Sequence, residues 1–299
     1  MTAPIAERTL IAEGWKDHAL LDSGGGWKLE RVGPYRFARP ETQALWRPAR
    51  PHAEWGEDAR FSPAAEEDDD RGRWRFNKPV PADWPIAYGD IRLHARCTPF
   101  RHLGFFPEQS VHWNWARARL GPESALLNLF GYTGAASLTA AAGGARVTHV
   151  DASKKAIAQA RENQALSKLE AAPIRWIADD ALAFVRREAR RSARYDGIVL
   201  DPPKHGRGPN GEVWRVETDL AALFEALPAI LSEGRGRPRF VIATLYAVRL
   251  SYLALARALE AALGPLGGAI EAGEMALREE QTGRLLPLAI YARWSDGAG

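Results

Sequence analysis

Apolar and polar positions change rhythm along this chain. Before residue 100 the apolar runs are short, alternate with polar residues and are split by Gly, Pro and Asp. "HALLDSGGGWKLERVGPYRFARP" (18–40) predicts two or three strands, with Ser23-Gly-Gly-Gly as a turn that requires positive φ. "IAYGDIRLHARCTPF" (86–100) predicts a further strand pair, and "AEEDDDRGR" (65–73) predicts a solvated loop. From about residue 122 the apolar runs become continuous. "ALLNLF" (125–130), "ARVTHVD" (145–151), "APIRWIA" (172–178), "YDGIVLD" (195–201) and "RFVIATL" (239–245) read as five short strands. Between them, residues 153–168 place Ala156, Ile157 and Ala160 on one helical face. Residues 180–191 do the same for Ala181, Phe184, Val185 and Ala189, with Asp180 as N-cap. "GGAIEAG" and "RLLPLAIYAR" suit a closing antiparallel hairpin. Strand and helix in alternation predict an α/β fold with a parallel sheet and right-handed crossovers. The division expected is a small β-rich domain at 1–98 followed by an α/β domain at 99–299.

The chain is 299 residues long, with 46% hydrophobic and 26% charged residues, enough for a large core. Eight of the eleven tryptophans fall in the first 115 residues. No run approaches 18 apolar residues, and "MTAPIAERTLIAEG" lacks a basic start followed by an apolar core, so a cytoplasmic protein without a membrane span is expected. A single cysteine, Cys97, leaves no internal disulfide and no thiolate metal cluster. The seven histidines show no metal-ligand spacing, and no metal is expected. A net charge of +3 permits a polyanionic partner without requiring one. "RREARRSAR" (186–194) concentrates five arginines and reads first as a solvated helix face and loop.

Chemistry gathers at the carboxyl ends of the predicted strands, where open α/β sheets bind ligands. The first ends in Asn128-Leu-Phe130-Gly131-Tyr-Thr133-Gly134. Asp151 follows the second, 20 residues beyond Gly131, the distance expected of a carboxylate that accepts from ribose hydroxyls. Asp179-Asp180-Ala181 follows the third, where a carboxylate at a helix start could meet an adenine amino group. Asp201-Pro202-Pro203-Lys204 follows the fourth, and a proline pair cannot continue a central strand. The turn after the first strand reads Gly131-Tyr132-Thr133-Gly134 and lacks the Gly-x-Gly-x-x-Gly triplet of a pyrophosphate-bound dinucleotide, and the chain has no Gly-x-x-x-x-Gly-Lys-Ser/Thr loop of a nucleotide triphosphate. An adenosine ligand without a pyrophosphate fits better, and S-adenosyl-L-methionine is such a ligand.

These residues, "LNLFGYTGAASLTAAAGGARVTHVDASKKAIAQARENQALSKL" with "DDALAF" and "VLDPPKHGRG", resemble the class I S-adenosylmethionine-dependent methyltransferases. More narrowly they are similar to the bacterial family of 23S ribosomal RNA cytosine-C5 and guanine-N7 methyltransferases, and "GFFPEQ" (104–109) is similar to a motif just upstream of that family's catalytic domain. The resemblance implies a Rossmann-like seven-stranded sheet with a reversed last hairpin, preceded by a small β domain. The RNA-binding domain found at the N-terminus of some members has no visible counterpart. Carried across, the resemblance implies that Asn128, Phe130, Gly131, Thr133 and Gly134 line the methionine and ribose end. It gives Asp151 the ribose, Ala152 and Ser153 the flanks of the adenine, and Asp180 the adenine amino group, with Asp179 as the alternative and the Ala181 backbone beside it. Gln109 would close over the cofactor and Asp201 would face the methyl group.

The acceptor atom is left open. Asp201 and the Pro202 carbonyl could both accept from an amino group and draw out its lone pair. Amino-methyltransferases, however, normally place an aromatic residue after the prolines, where this chain has Lys204 and His205. Cytosine-C5 transfer needs a thiolate after the fifth strand. "VIATLYAVRLS" carries Thr244 there and no cysteine. "HGRGPNGEVWR" (205–215) is a basic, Gly-rich loop whose Arg207, Arg215 and Trp214 could meet phosphate and stack on a base, or simply be mobile. Trp113 and Trp115 of "HWNWAR" suit core packing. RNA, in particular ribosomal RNA, is the expected substrate. A protein or small-molecule acceptor is one alternative, and a non-catalytic module that binds S-adenosylmethionine or RNA is another.

Overall fold

The computed structural model describes residues 5–64, 71–234, 239–246 and 248–297. The chain forms two compact units, one comprising Met1–Leu10, His112–Met275 and Ala289–Gly299, the other Ile11–Val111 and Ala276–Leu288. The division at residue 98 is a change of sequence style, whereas these units are drawn by contact, and each is built from separated stretches of chain.

In the first unit the five continuous apolar runs are strands β1 (Ala125–Leu129), β2 (Arg146–Asp151), β3 (Ile174–Ala178), β4 (Gly197–Leu200) and β5 (Phe240–Leu245). The last two apolar runs are β6 (Ala269–Arg278) and β7 (Leu285–Ser295). Their order across the sheet is β6-β7-β5-β4-β1-β2-β3. Strands β1 to β5 pair in parallel, and β7 is antiparallel to β5. The expected seven-stranded sheet is therefore present, with its reversed last strand. Two short strands, Ala6–Glu7 and Leu10–Ala12, add to β6 and bring the sheet to nine.

Helices α1 (Ser110–Arg119), α2 (Ala135–Ala142), α3 (Lys154–Leu166), α4 (Ala181–Arg190), α5 (Val216–Ala226) and α6 (Tyr252–Leu263) complete the elements. Alternate side chains of one strand serve opposite faces. Leu127 and Leu129 join a core with Phe184 and Val185 of α4, Leu223 and Phe224 of α5 and Leu259 of α6. Leu126 packs instead with Ala116 of α1 and Ala140 and Ala141 of α2. Both faces of the central strands are covered, whereas edge strand β3 has no fully buried residue. Helix starts follow their caps: Ser153 Oγ accepts from Ala156 N, Asp180 Oδ1 from Ala183 N, and Ser251 Oγ from Ala254 N.

The second unit holds a five-stranded sheet in chain order: His18–Gly24, Trp27–Val32, Tyr35–Pro40, Ala59–Pro63 and Gly72–Phe76. A two-stranded pair, Asp83–Tyr88 with Ile91–Arg96, accompanies it. The first turn requires its glycines, since Gly24, Gly25 and Gly26 have φ of 147°, 58° and 79°. Of the loop expected at 65–73, residues 65–70 lie outside the described residues. Gly72 and Arg73 depart from the expectation by opening a strand, because they pair with Pro63 and Ser62. No helix among the described residues is long and apolar enough to cross a membrane.

Candidate functional site

The sheet reverses direction of growth between β1 and β4, and register aligns the strand ends there. Leu129 pairs with Leu200, so Phe130 and Asp201 leave the sheet side by side. Leu129 also pairs with Val150, and Asp151 with Ala178, so Asp151 and Asp179 emerge at the same edge. Four separate segments thus converge at the crevice where such sheets hold ligands.

The turn after β1 is bent hard. Phe130, Tyr132 and Gly134 have φ of 55°, 48° and 88°, so three of five consecutive residues are left-handed. For the two non-glycine residues this costs about 1–2 kcal/mol each. A set of hydrogen bonds holds the shape. Tyr132 N donates to Asp151 Oδ2 at 2.9 Å, Gly131 N to Val150 O at 3.1 Å and Gly134 N to Gly131 O at 3.0 Å. Asn163 Nδ2, from α3, donates to the carbonyl of buried Thr133 at 2.9 Å. Asn128 turns its amide beneath the turn, donating to Ser137 Oγ at 2.9 Å, and Ser137 Oγ lies 3.0 Å from His149 Nδ1. His149 is fully buried, tilts against Trp176 at 4.7 Å and has its pKa pushed down by burial to about 3. Gly131 sits on this ring: a Cβ there would be 2.4 Å from His149 Cε1. At Gly134 a Cβ would stand 3.0 Å from that of Ala160. Both glycines are demanded by the protein underneath the turn.

Asp151 Oδ2 and Oδ1 accept from the amides of Tyr132 and Ser153, at 2.9 and 2.8 Å. Burial outweighs those two bonds and raises the Asp151 pKa above the usual carboxylate value. Ala152 is half-buried and Ser153 exposed at the start of α3. The adjacent pair after β3 has divided tasks. Asp180 caps α4, which starts at the buried Ala181. Asp179 accepts from Asp180 N and is ion-paired with Arg187, which folds one of the five clustered arginines back towards the strand ends. Arg186, Arg190, Arg191 and Arg194 remain exposed.

After β4, Asp201 is half-buried, Pro202 buried and Pro203 exposed. The Pro203 carbonyl accepts from Trp214 Nε1 at 2.8 Å, and the Lys204 carbonyl from Val216 N at 3.1 Å. The expected loop at 205–215 is a hairpin, His205–Arg207 against Val213–Arg215. Trp214 is corrected by this: only 4% exposed and tilted on Phe130 at 4.9 Å, it cannot stack on a base. It braces the glycine turn and the Asp-Pro-Pro turn against each other. His205, Arg207 and Arg215 are exposed.

Gln109 is buried in the turn Pro107–Gln109 of the other compact unit. Burial pushes the Cys97 thiol up to about 12, well away from a thiolate. Thr244, near the end of β5, is buried. Trp113 is buried, and Trp115 packs on Phe240 and under Arg119 and Arg293. Among the described residues no three His, Cys, Asp or Glu side chains gather as a metal site. Sequence reasoning missed Ser137, His149, Asn163 and Trp176. The available signal was a polar residue at an inward position of an apolar element.

A family model described as "Conserved hypothetical protein 95" matches residues 109–212. The crystal structure of a SAM-dependent methyltransferase from Agrobacterium tumefaciens is 43% identical, with 99% of this chain and 98% of that chain covered and a TM-score of 0.90. The structure of SMU.776 complexed with SAH is 19% identical over 94% of this chain and 76% of that one, with a TM-score of 0.72, a likeness of fold alone. Among curated proteins, ribosomal RNA large subunit methyltransferase K/L of Shewanella sp. (strain ANA-3) is 41% identical over 110 residues, 36% of this chain and 15% of the relative. Ribosomal RNA large subunit methyltransferase I of Klebsiella pneumoniae (strain 342) is 32% identical over 125 residues, 42% of this chain and 31% of the relative. The chain thus matches less than a third of the length of either curated relative.

An adenosyl ligand suits the donor set at the crevice. Asp151 offers a carboxylate to paired hydroxyls, the strained turn offers its backbone, and the half-buried acids after β3 offer acceptors to an amino group.

Proposed function

The chain belongs to the S-adenosylmethionine-dependent methyltransferases, and from that premise we propose that it methylates a base of ribosomal RNA, as a cytoplasmic enzyme, without a cysteine nucleophile. The observation that carries the proposal is the pairing of Leu129 with Leu200, which sets Asp201 beside the glycine turn. In support of an RNA acceptor, the two curated relatives are named for large-subunit ribosomal RNA. The hairpin after the proline pair also presents exposed Arg207 and Arg215, suited to phosphate.

S-adenosylmethionine supplies an electrophilic methyl group when bound. In this proposal Asp151 accepts from the ribose hydroxyls, and Phe130, Gly131, Thr133 and Gly134 form the wall along the ribose and methionine, with Asn128 supporting them from below. Ala152 and Ser153 flank the adenine. Asp180, with the Ala181 backbone, meets its amino group, since Asp179 is engaged by Arg187. Gln109 is proposed to close over the cofactor. The division proposed from sequence gives transfer to residues 99–299 and the β-rich domain to 1–98, while the compact unit that holds the β-rich sheet runs on to Val111. Asp201 and the Pro202 carbonyl accept hydrogen bonds from the acceptor base and hold its nucleophile in line, with Pro203 and Lys204 shaping the same turn. Most of the chain's contribution is then alignment. Neither Thr244 nor the high-pKa Cys97 serves as a nucleophile.

The test is transfer from methyl-labelled S-adenosylmethionine into total RNA from a strain deleted for the gene. Label in one RNA species is expected, and label only in protein or small molecules would overturn the acceptor assignment. Asp151→Ala should weaken cofactor binding, whereas Asp201→Ala should reduce transfer while leaving cofactor affinity nearly intact.

A further inference from the structure

We propose that residues 98–106 of the β-rich unit form a stacking platform for unpaired bases of the RNA substrate, an inference that rests on the RNA acceptor proposed above. The rings of Phe100 and His102 stack almost in parallel, 5.5 Å apart with 6° between their planes. His102 in turn meets Phe106 at 5.6 Å and 46°. The guanidinium carbon of Arg71 lies 5.8 Å from the Phe100 centroid, on a segment bridged to Phe100 through the backbone. Three rings and a cation thus form one row, and Phe100 keeps 37% of its surface in water.

The alternation of the segment decides which rings face outwards. Leu103 and Phe105 point inwards and are buried, while Phe100, His102 and Phe106 retain exposure. Nothing in core packing requires an aromatic pair to be stacked at the surface. What holds it there is a set of clamps on the backbone. Trp74 Nε1 donates to the Thr98 carbonyl at 2.7 Å, Gly72 N to Pro99 O at 2.9 Å, Arg39 Nη1 to Arg101 O at 3.0 Å and Arg96 N to Leu103 O at 2.9 Å. Arg39 is itself fixed by an ion pair with fully buried Glu30, whose other oxygen lies 3.0 Å from His18 Nε2. The segment is ordered by the unit's buried polar network before any ligand arrives.

A pre-ordered row of rings, Phe100 exposed and His102 and Phe106 half-buried, with an arginine over its outer member has the chemistry of single-stranded nucleic-acid recognition. Bases stack on aromatic faces irrespective of sequence, and the guanidinium can meet a phosphate or a base face. Binding to a rigid platform avoids the cost of ordering side chains. The same segment runs directly into Pro107–Gln109, the turn whose Gln109 is proposed to close over the cofactor. Bases gripped at 100–106 would tether a substrate strand to the piece of chain nearest that turn in sequence. This gives the β-rich unit a role in acceptor binding.

The experiment compares wild type, Phe100→Ala, Phe100→Trp and Arg71→Gln in the full-length chain, using a fluorescently labelled eight-nucleotide oligouridine for binding and total RNA for transfer. Phe100→Ala should weaken oligouridine binding roughly 5- to 150-fold, the range for loss of one base–aromatic stack. It should raise the KM for RNA with kcat and cofactor affinity unchanged. Phe100→Trp should restore binding. Arg71→Gln should lower the salt dependence of binding by about 0.7 in log–log slope if it meets one phosphate. Should Phe100→Ala lose its melting transition, Phe100→Leu, which keeps apolar volume without a π face, takes its place. Wild-type transfer to RNA with an unchanged RNA KM in the Phe100 variants would overturn the platform while leaving the RNA acceptor standing. No RNA labelling at all would overturn the acceptor proposal, and with it the platform as a site for an RNA substrate, whatever the oligouridine result.

Discussion

A single methyl group at residue 131 tests whether the glycine turn is built from below. In Gly131→Ala the new Cβ would lie 2.4 Å from His149 Cε1, 2.5 Å from His149 Nδ1 and 2.9 Å from Asn128 Nδ2, where ordinary contact begins near 3.4 Å. His149 has no room to retreat. Its Nδ1 is 3.0 Å from Ser137 Oγ and its ring lies against Trp176, so the overlap must be relieved by displacing the turn. Overpacking of this kind costs about 1–3 kcal/mol. That corresponds to a fall in Tm of roughly 2–12 °C for a domain of this size. Because the turn carries the Asp151–Tyr132 hydrogen bond, cofactor affinity should fall about tenfold or more, each factor of ten representing about 1.4 kcal/mol. Gly144→Ala is the control. Its φ of 91° penalises alanine by about 1–2 kcal/mol, yet the nearest atom to a Cβ is Pro122 Cα at 3.7 Å, so it should destabilise without touching affinity. Calorimetric titration with S-adenosylmethionine and thermal melts read both quantities. In a Gly131→Ala/His149→Ala double variant the two losses should fall short of additivity by about 0.5–3 kcal/mol. A Gly131→Ala protein that melts and binds like wild type would refute the packing argument. One that melts lower but binds normally would remove the turn from the cofactor site.

Two further outcomes follow from the same residues. His149 and His112 are both held neutral by burial, the first at a pKa of about 3, the second well below its usual value. Unfolded, each takes up a proton near pH 6.5, so the unfolded chain binds more protons below that pH and stability falls with pH. His149 alone should remove about 2 kcal/mol between pH 7 and 5. Denaturant titrations at pH 7, 6 and 5 give the slope, and a His149→Asn variant with an undiminished slope would contradict the assignment. Trp214→Phe keeps a ring against Phe130 but loses the bond to the Pro203 carbonyl. Transfer should drop roughly fivefold, as for one hydrogen bond of about 1 kcal/mol, with cofactor affinity held; equal loss of both would make the indole part of the cofactor's own support.

What could be read from the sequence was local. Five short apolar runs announced the strands, and the polar groups at the ends of four of them announced where the chemistry would collect. Asp180 declared itself as a cap, because a cap depends only on the next three residues. What escaped was decided by partners far along the chain. Trp214 stands among polar residues in "GEVWR" and looked exposed, yet Phe130, 84 positions earlier, covers it. Arg187 is a nearer case, reading as one of five solvated arginines although Asp179, at the strand end before its own helix, pairs with it. Ala6–Glu7 carries no strand signal and joins the sheet through Glu271 and Ala272.

The glycine turn separates two inferences that sequence motifs usually merge. A Gly-x-x-Gly after a strand suggests a backbone cleared for a ligand above it. Here the space the glycines leave is taken up from below, by the His149 ring at Gly131 and by Ala160 and Trp176 at Gly134. Such a turn would be required even of a sheet that bound nothing. The residues that discriminate are the acids. Asp151 is half-buried, which raises its pKa, and it stands at the strand end where a carboxylate pins the Tyr132 amide. A partly desolvated carboxylate beside left-handed Phe130 and Tyr132 is what a purely structural turn would have been free to discard.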